Sequence, residues 1–71
     1  MAIERVPVTS STVASVGYDP DEQTMAVEFK GGDVYHYHDV DKDSYNNLLA
    51  AKSIGSHLHA NIKGKFKHAK Q

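Results

Sequence analysis

Two segments of alternating apolar and polar residues flank Gly31-Gly32, and this pattern constrains the fold more than any other part of the sequence. Every second residue from Met25 to Phe29 is apolar, which is the period of a strand with one buried face. A glycine pair between two such segments is typical of a β-hairpin. The sequence therefore predicts antiparallel strands at residues 24–29 and 34–38, joined by a tight turn.

The length of the hairpin loop decides which side chains face the core. A two-residue loop pairs Phe29 with Val34 and turns His36 inward, whereas a three-residue loop turns His36 outward. Shifting the register by one residue moves every side chain to the other face, so only one arrangement is compatible with a single core. We expect the three-residue loop, with a type I turn and a glycine bulge at residues 31–33, because it buries no imidazole. The expected pairs are Phe29 with Tyr35 and Val27 with Tyr37.

The remaining segments predict one further strand and two helices. A strand at Val13–Tyr18 precedes the turn residues Asp19-Pro20-Asp21-Glu22. Asp41 is suited to cap a helix whose apolar stripe covers the sheet, and Ser53 is suited to cap a second, shorter helix that stops at Gly64. The stripe of the first helix consists of Tyr45, Leu48 and Leu49, and that of the second consists of Ile54, Leu58 and Ile62. The predicted fold is α+β: a three-stranded antiparallel β-meander packed against one α-helix, followed by a second short helix and a basic C-terminal arm.

The chain has 71 residues and no cysteine, which narrows the classes of protein to which it can belong. Its length predicts a single domain. We expect its core to span residues 6–68, where the recognisable motifs of the chain lie. Without cysteine, disulfides, cysteine-ligated iron–sulfur clusters and a thiol nucleophile are excluded. The apolar runs are short, so we expect no membrane contact and a cytoplasmic protein.

The net charge of −1 conceals two oppositely charged halves. Residues 1–41 hold eight carboxylates against one arginine and one lysine, a net charge of −6, whereas residues 42–71 hold six lysines against one carboxylate, a net charge of +5. A basic half can attract phosphate groups, while an acidic half repels them. The same separation also allows the two halves to attract each other, within one chain or between copies.

The order of motifs along nearly the whole chain resembles the KTSC domain, a small module found at the C-terminus of some lysyl-tRNA synthetases and in short bacterial and phage proteins. The resemblance rests on Ser10-Ser11, Val16-Gly17-Tyr18-Asp19, Phe29 with Gly31-Gly32, Val34-Tyr35-His36-Tyr37, Val40, Tyr45, Leu48-Leu49, Ala51-Lys52-Ser53-Ile54-Gly55 and Ile62-Lys63. Two positions depart from the family pattern: Asp41 stands where proline is usual, and residues 57–59 replace a segment of two aromatics and an asparagine. The synthetase association implies contact with RNA.

Neither the histidines nor the serines form a catalytic or metal-binding pattern. His36-x-His38 and His57-x-His59 lack a further ligand at suitable spacing, so we expect no metal and no cofactor. Nothing in the sequence places a general base against the hydroxyl of Ser10, Ser11 or Ser53, and the strained turn of a serine hydrolase is missing. We therefore expect no enzymatic activity.

The lysine-rich C-terminal half is the strongest indication of function. Four lysines lie within residues 63–70 with one phenylalanine among them, and lysines attract nucleic-acid phosphates regardless of sequence. We expect weak contact with nucleic acid, with RNA favoured over DNA, by a monomer or small homo-oligomer. The predicted contact residues are Lys52, His57, His59, Lys63, Lys65, Phe66, Lys67 and Lys70. The alternative is a protein–protein interaction or oligomerisation module with no nucleic-acid role. This alternative includes a module of phage origin.

Overall fold

An antiparallel sheet of five strands, in the order β1-β2-β3-β4-β5, forms one layer of the molecule. The structure is a computed structural model that describes residues 3–71. The strands are β1 (Val6–Pro7), β2 (Val13–Asp19), β3 (Thr24–Phe29), β4 (Val34–Tyr37) and β5 (His68–Lys70). The second layer holds helix α1 (Lys42–Ala50), helix α2 (Ile54–His57) and a π-helical segment (Leu58–Ile62) that continues α2. The predicted α+β class is therefore confirmed.

The sheet is wider than the predicted three-stranded meander, which forms only its centre. Strand β1 extends one edge by pairing with β2, and β5 extends the other by pairing with β4. The C-terminal arm ends as an ordered edge strand, since the Gln71 N–H also donates to the Val34 carbonyl at 2.7 Å. Strand β4 ends at Tyr37, one residue before the expected end, because the His38 N–H donates to the Lys67 carbonyl and Asp39 adopts a positive φ of 59°.

The β3–β4 hairpin has a loop of the predicted three residues, but the loop begins one residue earlier than the expected residues 31–33, and the strand pairs differ accordingly. The loop consists of Lys30, Gly31 and Gly32, and the Phe29 N–H donates to the Asp33 carbonyl at 2.8 Å. Gly32 has a φ of 99°, the left-handed conformation that such a loop requires. The observed pairs are Met25 with Tyr37 and Val27 with Tyr35, so the expected pairs Phe29–Tyr35 and Val27–Tyr37 are wrong by two residues. The predicted inner face is nevertheless correct, because a shift of two residues preserves which side chains point inward.

The core lies between the inner face of the sheet and the helical layer. Its fully buried side chains come from every part of the chain: Val13, Val16, Met25, Val27, Tyr37, Val40, Leu48, Leu58 and Ile62. Ile54 completes the stripe predicted for the second helix. The predicted stripe of α1 is only partly correct, because Leu49 is 38% exposed while the adjacent Leu48 is fully buried.

The two predicted helix caps are in place, but their side chains bond differently. Ser53 caps α2, and its hydroxyl accepts a hydrogen bond from the Ser56 N–H at 3.4 Å. Asp41 occupies the cap position of α1 without bonding a backbone N–H; its carboxylate instead accepts from the Ser44 hydroxyl at 2.5 Å. This hydrogen bond lowers the pKa of Asp41 below its ordinary value. Gly64, the predicted stop of the second helix, has a φ of 84° just after its end.

Candidate functional site

Three neighbouring hollows lie in a row beside the β3–β4 hairpin and the second helix, and each shares lining residues with the next. We call the row the groove and name its hollows in order. The serine–lysine hollow, of about 530 Å³, is lined by Val8, Thr9, Ser10, Ser11, Lys30, Lys52, Ser53 and Ile54. The middle hollow, of about 340 Å³, shares Ser11 and Ser53 with it. The aromatic hollow, of about 390 Å³, shares Phe29 and Lys63 with the middle hollow.

The serine–lysine hollow is formed where the turn before β2 meets the start of α2. Ser10 closes that turn, because its hydroxyl oxygen accepts hydrogen bonds from the N–H groups of Thr12 and Val13, each at 3.2 Å. The Lys30 N–H donates to the Thr12 carbonyl at 2.9 Å, which holds the hairpin loop beside the turn. Backbone hydrogen bonds therefore fix the position of both the serine hydroxyl and the base of the lysine.

Gly55 permits the close approach of these two elements. A β-carbon at this position would lie 3.3 Å from Thr12 Oγ1 and 3.4 Å from Ser10 Oγ. The first distance is tighter than an ordinary van der Waals contact and the second is at its lower limit, so a β-carbon here would require the Thr12 side chain to move by a few tenths of an ångström. The glycine thus has a packing role at the meeting point of the turn and α2.

The aromatic hollow forms the other end of the groove, beside strands β3 and β4. Phe29 and Tyr35 meet edge to face with ring centroids 5.6 Å apart, and the Lys63 ammonium lies 5.3 Å from the Phe29 centroid. The His68 ring lies 5.7 Å from Tyr35 and 5.5 Å from Tyr37, between centroids. Burial, reinforced by Tyr35, raises the pKa of Tyr37, which keeps its phenol protonated as a hydrogen-bond donor.

Carboxylates gather at the opposite end of the sheet from the serine–lysine hollow. The β2–β3 turn and the residues around the start of α1 meet there, since the Val40 N–H donates to the Gln23 carbonyl at 2.8 Å. These segments carry Asp19, Asp21, Glu22, Asp39, Asp41 and Asp43. Among the described residues that line the groove there is one carboxylate, Asp33, and it pairs with Lys70 at 3.3 Å. The charge separation seen in the sequence is thus partly a separation along the strands.

The groove contains only some of the predicted contact residues. Lys52, His59 and Lys63 line it, but His57, Lys65 and Phe66 line a different hollow, beside α1. Phe66 is partly buried and packs against the core, so only part of its ring is exposed in that hollow.

The last two predicted residues are held by the edge of the sheet. Lys67 precedes β5, and its carbonyl accepts the His38 N–H at 2.8 Å. Lys70 lies within β5 and pairs with Asp33, which partly neutralises its charge. The eight predicted residues accordingly do not form a single surface.

Sequence reasoning missed Lys30, which belongs to the acidic half of the chain but lines the groove. The signal was available in the strand order. Antiparallel pairing of β2 with β3 places the residues before Val13 next to those after Phe29. Lys30 must then lie beside Ser10-Ser11, whatever the average charge of its half.

The histidine pairs occupy separate places. His36 and His38 line a hollow on the outer face of the sheet together with Asp19 and Glu22. His57 Nδ1 lies 3.4 Å from the Asn61 side-chain nitrogen. His57 and His59 line two different hollows. Within residues 3–71, no group of three or more histidine, aspartate or glutamate side chains is arranged to hold a metal ion. No helix in that range is long and apolar enough to cross a membrane.

Comparison with known proteins connects this architecture to a family. The profile of the KTSC domain matches residues 9–66. A protein of Tsukamurella paurometabola is 41% identical over 61 residues, covering 86% of this chain and 91% of that protein. A lysine–tRNA ligase of Nostoc punctiforme is 39% identical over 57 residues, covering 80% of this chain but only 10% of the ligase. The crystal structure of a KTSC domain protein from Yersinia pestis superposes with a TM-score of 0.92 at 38% identity, covering 99% of each chain.

Proposed function

Because this chain belongs to the KTSC domain family, whose sequence occurs both in short proteins and as a small part of lysine–tRNA ligases, we propose that it is an accessory module that binds nucleic-acid phosphates. The ligases act on tRNA, as their name states, which favours RNA over DNA as the partner. The observation that carries the proposal is the groove, which has lysines along its length and lies away from the acidic end of the sheet.

Charge and shape both support a backbone-binding role for the groove. Lys30, Lys52 and Lys63 come from three separate segments and line two neighbouring hollows of the groove. Several cations along one row of hollows can contact successive phosphates of a strand, and such contacts supply sequence-independent affinity. The carboxylates at the other end would repel the strand, and therefore orient the module on it.

The groove is not suited to the recognition of base sequence. Arginine makes the strong bidentate contact to guanine, and the one arginine of this chain is committed elsewhere. The Arg5 Nε donates to the Ser15 hydroxyl at 3.2 Å on the outer face of the sheet, and that hydroxyl donates to Glu28 at 2.9 Å. The groove therefore offers lysines and hydroxyls, which recognise phosphate more readily than base edges.

A salt titration tests the proposal. The full chain is titrated into fluorescently labelled single-stranded RNA and DNA without terminal phosphates, and anisotropy is measured from about 20 to 200 mM salt. The double variant Lys52→Ala/Lys63→Ala removes two charges from the groove, and Lys42→Ala at the acidic end serves as control. We expect the double variant to weaken binding and to flatten the salt dependence by about 0.7 per lost phosphate contact. Lys42→Ala should have little effect.

Two further variants separate the groove from the other lysines. Lys65→Ala/Lys67→Ala removes the same number of charges outside the groove, so an equal loss would show that the whole basic half acts as a diffuse patch. No binding at the lowest salt, or no response to Lys52→Ala/Lys63→Ala, would overturn the proposal. In that case sedimentation at several salt concentrations would test the self-association that the exposed edge strands β1 and β5 permit.

A further inference from the structure

The serine–lysine hollow is unusual in the kind of polar group that it presents. Lys30 and Lys52 each bring an ammonium group, which only donates hydrogen bonds. The other polar groups that line it come from serine and threonine, and no carboxylate lines it among the described residues. A ligand in this hollow is therefore surrounded by positive charge and hydroxyl groups.

The two serines that border the hollow are arranged as donors. The Ser10 oxygen already accepts two backbone N–H groups, from Thr12 and Val13, and the Ser53 oxygen accepts one, from Ser56. No hydrogen bond donated by either hydroxyl is present within residues 3–71. Each hydroxyl hydrogen is thus available to a ligand that accepts hydrogen bonds.

Two lysines and several hydroxyl groups with no carboxylate among them match an oxyanion more closely than a cation. Metal ions are instead held by carboxylates and other groups rich in lone pairs, and a neutral molecule would gain nothing from the charge of the two lysines. Two ammonium groups balance two negative charges, the charge of a phosphate monoester near neutral pH. The hollow is open to solvent and larger than one phosphate, so the phosphate can be part of a larger molecule.

The geometry is also prepared before any ligand arrives. Lys30 is tied to the Thr12 carbonyl through its own N–H, and Lys52 directly precedes the residue that caps α2. Gly55 lets α2 approach the Ser10 turn to near van der Waals distance. The serine hydroxyls and the backbone of both lysines are therefore already positioned, so binding has to order only the lysine side chains, which favours affinity for a small anion.

We infer that the serine–lysine hollow is a binding site for a phosphate monoester, held by Lys30, Lys52, Ser10 and Ser53. The inference goes beyond the proposed function, because the site requires a phosphate group and not a nucleic-acid strand. Two sources share this chemistry: the terminal phosphate of a strand, and a free phosphorylated small molecule.

An NMR titration of the full chain with inorganic phosphate, at constant ionic strength set with chloride, tests the site. We expect saturable shifts confined to the amides of residues 9–13, 30–32 and 52–56. Lys30→Gln/Lys52→Gln should lower the affinity about tenfold or more, because it removes two charge-assisted contacts. Lys65→Gln/Lys67→Gln is the matched control and should leave the affinity unchanged. Shifts that do not saturate, or that persist in Lys30→Gln/Lys52→Gln, overturn the inference.

Two more ligands identify the source and separate this inference from the proposed function. Adenosine monophosphate and a short oligonucleotide with a 5′-phosphate are compared with the same oligonucleotide without it. Tighter binding of the phosphorylated strand assigns the hollow to strand ends, and binding of the mononucleotide alone assigns it to free monoesters. If the unphosphorylated strand binds but phosphate does not, the hollow is excluded while the proposed function stands. If phosphate binds but no strand does, the proposed function alone fails.

Discussion

The backbone carbonyl oxygen of Glu4 occupies the place that a β-carbon of residue 17 would take, so the N-terminal segment lies directly over Gly17. Such a β-carbon would also lie 3.1 Å from the Arg5 Cα. Gly17 pairs with Ala26 across the sheet, and Ala26 is fully buried although it points to the outer face. The absent side chain at position 17 therefore lets residues 4–5 cover part of the sheet that a meander alone would expose.

Gly17→Ala is expected to lower the free energy of unfolding by about 1–3 kcal/mol, because the overlap is with backbone atoms that cannot rotate away. Gly31→Ala is the control, since a β-carbon there would meet nothing within 4 Å. That variant should change stability by no more than about 0.5 kcal/mol. Urea denaturation followed by circular dichroism measures both. Equal midpoints for the two variants would show that residues 4–5 do not pack on Gly17.

Leu48 and Leu49 allow the same substitution at adjacent buried and exposed positions of α1. Leu48→Ala should lower the free energy of unfolding by about 2–5 kcal/mol, because it opens a cavity between the helix and the sheet. Leu49 is 38% exposed, so Leu49→Ala should cost about 1 kcal/mol or less. Thermal or urea unfolding gives the comparison. A larger loss for Leu49→Ala would mean that α1 is rotated relative to the structure.

The leucine pair shows what the sequence can and cannot specify about packing. Residues 45, 48 and 49 form one apolar stripe on a helical wheel, and both leucines satisfy the pattern. Which of them reaches the core depends on how α1 is rotated against the sheet. That rotation is set by contacts outside the helix, such as the stacking of Tyr45 on Tyr18, whose ring centroids are 5.2 Å apart.

The hairpin shows a related limit. Alternation has a period of two, so it identifies the inner face of β3 and β4 but is unchanged when the pairing slips by two residues. The difference between pairing Val27 with Tyr35 and with Tyr37 lies in which residue opens the loop, and that residue is Lys30. Strands β1 and β5 have two and three residues, too few to show any alternation.

The candidate site was the least predictable part, because it combines distant segments. The lysine content of residues 63–70 was visible in the sequence, but Lys70 is paired with Asp33 and Lys67 precedes an edge strand. The hollow that we propose for phosphate instead joins Ser10, Lys30 and Lys52, which are widely separated in sequence. The pairing of β2 with β3 brings Lys30 beside the Ser10 turn, and the packing of α2 against that turn adds Lys52.

His36 should make the stability depend on pH in the mildly acidic range. Burial lowers the pKa of His36 below its ordinary value of 6.5, and the nearby His38 and Arg5 lower it further. The unfolded chain therefore binds a proton at higher pH than the folded chain does, so the free energy of unfolding falls as pH decreases below about 6.5. The contribution of neutral His36 to the free energy of unfolding is fully present above the pKa that His36 has in the unfolded chain. It is lost once the pH has fallen through the lower pKa that His36 has in the folded chain. Asp19 and Glu22 line the same hollow, and Glu28 lies on the same face of the neighbouring strand β3.

Urea midpoints at pH 7.5 and pH 5.0 measure this dependence. The natural chain should lose stability over this range, and His36→Gln, which cannot be protonated, should lose less. His59→Gln is the control, because His59 lies in the middle hollow, away from the outer face. If His36→Gln leaves the pH dependence unchanged, the imidazole is not held in the neutral form by its surroundings.

Asp33→Asn should strengthen nucleic-acid binding if the groove is the interface that we propose. Asp33 lines the aromatic hollow and pairs with Lys70, and both side chains are more than half exposed. The substitution removes a negative charge that faces the strand and releases a lysine for contact with phosphate. Since exposed ion pairs contribute about 1 kcal/mol or less, affinity at low salt should rise by up to about fivefold.

Asp21→Asn is the control for Asp33→Asn, because it changes the net charge equally but lies at the acidic end of the sheet. That end is about 20 Å away along β2, beyond the Debye length at physiological salt. At 150 mM salt, anisotropy titrations should therefore show tighter binding for Asp33→Asn and almost none of that gain for Asp21→Asn. An equal gain for both would mean that binding follows net charge and not the groove.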